Sequence, residues 1–191
     1  MRALRNVIAC IVLVAACAAG RGRAEAIVYH GPPDLELAAR LVQAGSGVHG
    51  YHSKLLFARL YGADAAREKA RLVHRYGERH VAQFFPMLDY SVYDIVRLAT
   101  TVAHAKIPPA AATQNPAALQ RDLIRAGTVP DGRYDVGYML ERMMTHPLHH
   151  TLMQDLDAVY GAKNNGVFHE MLAAVVTGKT DSANMSPHMR H

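Results

Sequence analysis

Residues 145–150, THPLHH, place three histidines within six positions, and His169-Glu170 adds an imidazole beside a carboxylate further along the chain. Imidazole nitrogens suit zinc or copper, and one or two of them could bind haem axially. His146, His149 and His169, with Glu170 as ligand or neighbour, are therefore a candidate metal set. There is no C-x-x-C-H for covalent haem attachment, and HPLHH lacks the glutamate of H-E-x-x-H, so zinc-protease chemistry has no support. The competing reading is a histidine-rich helix start. Pro147 suits a first turn, and Leu148, Leu152, Leu156, Val159 and Tyr160 then form a stripe toward a core. On that wheel His146 sits at the boundary, His149 borders the stripe beside Met153, and His150 faces outward with Gln154 and Asp157.

Other chemistry is thinner. The sequence contains no G-x-S-x-G, Walker loop or dinucleotide fingerprint, and Asp155 and Asp157 are two positions apart on a helix, where carboxylates diverge. The residues lean to a non-enzymatic protein, with a hydrolase whose site carries no signature as a third option. Met185, His188, Met189 and His191 combine thioether and imidazole as copper would prefer, but a short terminal tract without helical pattern reads first as a disordered tail. HGYH at 49–52 reads as a turn and cap. Arg67, Arg71 and Arg75 form a stripe without interleaved aromatic residues, the pattern of a solvated helix face rather than a nucleic-acid platform.

These residues need elements to hold them. The 191 residues, half of them hydrophobic, suffice for one core or two small ones sharing an interface. Trp is absent, Ala, Leu and Met are plentiful, and sustained β-branched alternation is missing, so the fold class expected is all-α. Arg2 and Arg5 precede the apolar run 7–16, too short to span a bilayer and typical of an export signal. Ala24-Glu25-Ala26 offers ordinary cleavage after residue 26. Val14-Ala15-Ala16-Cys17 resembles a lipobox, which would leave a lipid anchor on Cys17. Loss of residues 1–26 removes four basic residues and one acidic, taking the formal charge from +5 to +2, and removes both cysteines. The mature chain would then have neither disulfide nor thiolate site.

Leu37 and Leu41, closed by Gly45, predict one helix; 52–61, ending at Gly62, a second; ADAAREKARLVHRYG a third; and the apolar set from Phe84 to Val102 a fourth, with Pro86 at its start or at a kink. KIPPAAATQN, 106–115, is a linker by composition. The pattern then recurs. AGSGVHG at 44–50 answers to AGTVPDG at 126–132, an offset of 82; Tyr51 and Arg59 answer to Tyr134 and Arg142 at 83; Leu72, Tyr76, Gly77, Phe84, Met87, Leu88 and Val92 answer to their counterparts at 84. Matches that include punctuation as well as apolar positions predict a compact bundle of about eight helices, two tandem four-helix repeats (33–105 and 116–178) packed about a pseudo-two-fold axis. No histidine is shared: His146, His149, His150 and His169 fall opposite Gly62 or its neighbours, Ala65, Ala66 and Phe85. Arg59 and Arg142 are shared and charged, read as caps of helix carbonyls or as a pair facing an anion.

The sequence thus leads to an exported, periplasmic or envelope helical binding or interaction protein without a transmembrane span in its mature form. Its partner is a small ligand or an envelope protein. The alternative is a histidine-ligated zinc, copper or haem protein with its centre in the second repeat.

Overall fold

A computed structural model describes residues 28–103, 115–144 and 146–178, without the side chains of 96, 98–103, 146 and 147. The expected export signal, the lipobox, most of the linker and the His/Met tail lie outside the described residues. The molecule is all-α apart from one small hairpin, and no described helix is long and apolar enough to cross a membrane.

Helix α1 (Leu35–Gly45) starts at Asp34, whose carboxylate accepts the Leu37 N–H. It buries Leu37, Ala38, Leu41 and Ala44 on one face. A two-stranded turn, β1 (Ser46–Gly47) and β2 (Gly50–Tyr51), leads to α2 (Ser53–Tyr61), a 3-10 turn (Gly62–Asp64), α3 (Ala65–Tyr76) and the long α4 (Glu78–Ala103). After the linker come α5 (Pro116–Gly127), a turn closed by a bridge between Thr128 and Tyr134, α6 (Val136–Met143), α7 (His146–Tyr160) and α8 (Ala162–Thr177). Helix α4 runs unbroken through Pro86. Pro86 and Ala82 are exposed, so the carbonyl at 82 that loses its i+4 donor can turn to water.

Local geometry recurs along the chain. Gly77 and Gly161 stand before α4 and α8 at φ 84° and 85°, backbone that a side chain would strain. The Ser46 hydroxyl donates to the Val42 carbonyl at 2.8 Å and that of Thr128 to Ile124 at 2.7 Å. The His52 N–H reaches the Gly45 carbonyl and the Asp135 N–H reaches Gly127, both at 2.8 Å. At Gly45 and Gly127 an added Cβ would run into the rings of Tyr51 and Tyr134 respectively. Burial raises both phenols well above the ordinary tyrosine range.

One continuous core joins the two halves of the chain. Phe84 and Phe168, both fully buried, pack with ring centroids 5.6 Å apart. Arg40 of α1 meets Asp122 of α5 at 2.8 Å, across 82 positions of sequence, and holds that carboxyl below its usual range.

Candidate functional site

The apolar faces of α1, α2, α4, α5, α6 and α8 leave a cavity of about 30 Å³ between them. Leu41 and Leu123, Leu88 and Leu172, and Val92 and Val176 line it, each pair separated by an offset already legible in the sequence, 82 or 84. Met139 and Met143 of α6 and Leu56 and Leu60 of α2 line the same space. Such a space would admit one water, yet the only polar side chain lining it among the described residues, Ser91, turns its hydroxyl to the Met87 carbonyl at 2.8 Å. An apolar guest suits this lining better than water does.

Helix α6 has a second, polar side, and here the two halves differ. Glu141 is only 8% exposed. Its carboxylate accepts the Tyr29 backbone N–H at 2.6 Å and lies 3.2 Å from Nδ1 of His149 on α7. The Tyr29 ring stands edge-on to Tyr138, centroids 5.4 Å apart, and lies beneath the Arg142 guanidinium at 5.0 Å. The Arg142 carbonyl accepts the Asp34 N–H. The segment ahead of α1 is thereby strapped across the outer side of α6. On α2 the position 83 residues before Glu141 is Ala58, and Arg59 reaches instead to the carbonyls of Gln43 and Ala44 at 3.1 and 2.8 Å, capping the end of α1.

The candidate metal residues are placed as follows. The His146 side chain is outside the described residues. His149 is largely buried and engaged with Glu141. His169 sits on α8 with its ring against Phe168. Its Nε2 is sealed from solvent without a hydrogen-bond partner. Burial pushes this imidazole down from 6.5 to about 4, while Asp135 and Asp157 pull weakly upward, so it is neutral at neutral pH. The imidazoles of His149 and His169 thus have different acidic neighbours. Glu170 is near Arg75 rather than either histidine's carboxylates, and burial raises its carboxyl above the ordinary value. Among the described residues, no three His, Cys, Asp or Glu side chains gather as a metal ion would need.

Other expectations meet specific outcomes. His150 faces solvent and contacts Gln154 at 3.0 Å. Asp155 accepts the Tyr90 hydroxyl while Asp157 accepts the Asn165 amide, so these carboxylates do diverge. Leu152 and Leu156 are fully buried and Leu148 and Tyr160 pack against the core, but Val159, expected in the same stripe, is 65% exposed because it lies off that i, i+4 row. Sequence reasoning did not single out Glu141 or Tyr29. The available signal was Ala58 giving way to Glu141 in the same stretch where alanines give way to His149 and His150.

Comparison with known proteins finds no family, no curated relative and no solved structure that matches this chain. Function rests on the site itself.

Proposed function

We propose that this is an exported, non-enzymatic binding module of the periplasm or envelope, built from two related four-helix halves, that holds a small apolar ligand at their junction. The observation that carries this reading is the cavity, lined in pairs by residues of both halves and offering no free polar group. Support for the duplication comes from contacts between matched positions. Residues near a two-fold axis meet their own equivalents, as Phe84 meets Phe168 and Arg40 meets Asp122. Support for export remains the charged and apolar N-terminus with its Ala24-Glu25-Ala26 cleavage pattern.

The cavity's 30 Å³ is well below the roughly 150 Å³ that accommodates benzene in an engineered protein core. Binding therefore requires side chains to give way, and Met139 and Met143 are the adaptable ones in the wall. Titrating the mature chain with benzene and with xenon, while following methionine methyl resonances and thermal stability, tests the reading. Saturable shifts at Met139 and Met143 with a rise in Tm are expected, and both should disappear in Val176→Leu, whose extra methylene fills the space. Shifts that never saturate, or that persist unchanged in Val176→Leu, would refute an axial apolar site.

A further inference from the structure

We infer that α6 is the movable wall of the cavity and that the segment from Tyr29 to Asp34 is the latch that keeps it shut. This inference rests on the apolar-ligand reading above and specifies how the site is regulated.

A cavity smaller than its ligand needs one wall that can yield without dismantling the core. Helix α6 has eight residues, two turns of helix, and Met143 and Met139 are on its cavity face. It ends at Met144 in extended backbone, φ −125° and ψ 160°, immediately before α7. Its counterpart α2 is fixed by different contacts: Arg59 caps α1, the Ser53 hydroxyl donates to Phe85 of α4, and the Asp89 carboxylate accepts the Ser53 N–H at 2.7 Å. Those ties run to core helices. Several ties of α6 run instead to a non-helical segment: Tyr29 N–H to Glu141, Tyr29 ring to Tyr138 and Arg142, and Asp34 N–H to the Arg142 carbonyl. Helix α6 also donates its Tyr138 N–H to its own cap, Asp135. Lifting the strap removes an outer clamp from α6, so opening has only the apolar contacts of its inner face and the Glu141–His149 contact with α7 to overcome, and those contacts draw the helix back.

Amide hydrogen exchange on the mature chain without ligand, followed by the rate of benzene uptake, tests the latch. In Tyr29→Ala the α6 amides should exchange about tenfold faster while those of α2 do not change, the size expected from losing one aromatic and one cation–π contact. Benzene should enter correspondingly faster. Tyr29→Phe keeps the ring and the backbone N–H and should behave as wild type. If Tyr29→Ala does not fold, Arg142→Ala, which removes the guanidinium over the Tyr29 ring, serves the same purpose. Exchange in α6 that does not respond, or that rises equally in α2, overturns the latch even if benzene binds. Benzene that binds neither protein overturns the ligand reading even if α6 responds.

Discussion

Helices α2 and α6 follow the same kind of turn and face the same cavity, yet they are held in opposite ways. An arginine stands at the same point of each. Arg59 reaches inward along the chain to close the preceding helix, whereas Arg142 lies over Tyr29, a residue that precedes all the described helices. Helix α2 is tied to core helices, whereas α6 is tied in part to a non-helical segment. Polar residues depart from the offsets of 83 and 84 on both sides: Glu141, His149 and His169 fall opposite Ala58, Ala65 and Phe85, while His74 and Asp89 fall opposite Ala158 and Ala173. What sets α6 apart is the strap over Glu141 and Arg142, not the number of histidines near it.

The comparison can be broken first at the shared interior. Phe84→Ala and Phe168→Ala should each cost about 3–5 kcal/mol in denaturant unfolding. Because the two rings touch, the double variant should differ from the sum by at least about 0.5 kcal/mol. Strict additivity would mean that the two halves do not share one core at this point.

His169 sharpens the difference next. Its folded pKa of about 4 lies below the ordinary 6.5, so the unfolded chain takes up the proton first as pH falls. Its stabilising effect is complete above about pH 6.5 and is lost as pH drops through about 4, by at most roughly 3 kcal/mol. His169→Phe, the residue found 84 positions earlier in the chain, should flatten that acid dependence, read as Tm against pH. An unchanged slope would assign the acid sensitivity elsewhere.

Smaller effects separate the two arginines. Arg59→Ala should cost about 1 kcal/mol and speed exchange at the end of α1. Arg142→Ala should cost about 0.5–1 kcal/mol and loosen α6 alone. A common response in both helices would erase the distinction drawn above. Smallest of all, Arg40→Ala should cost less than about 1 kcal/mol, because the pair is partly exposed, and the loss should shrink further in high salt.

Much of the scaffold was legible from pattern alone. Leucines one turn apart located α1 and α2, the closing glycine located α3, and Phe84, Leu88 and Val92 with their counterparts at 84 are buried throughout. Periodicity misplaced Val159 because it draws the stripe too wide, whereas the core takes only the row of Leu148, Leu152, Leu156 and Tyr160. The strap was illegible for a different reason: Tyr29 lies in a Pro-Gly-rich stretch with no period, and a glutamate on a helix reads as solvated until a neighbour covers it. The relation between His149 and His169 could not be read from the wheel, since adjacency of two helices leaves open which acidic group each imidazole meets.

The glycine-tyrosine contacts at the two turns have a practical consequence. The second turn has one residue more than the first, yet Tyr134 lies on Gly127 as Tyr51 lies on Gly45. The tyrosine fixes the base of each turn and leaves the tip unconstrained. Val48, wholly exposed at the first tip, is consequently a place to splice in a tag or a reporter loop, with the next helix still starting where it does now.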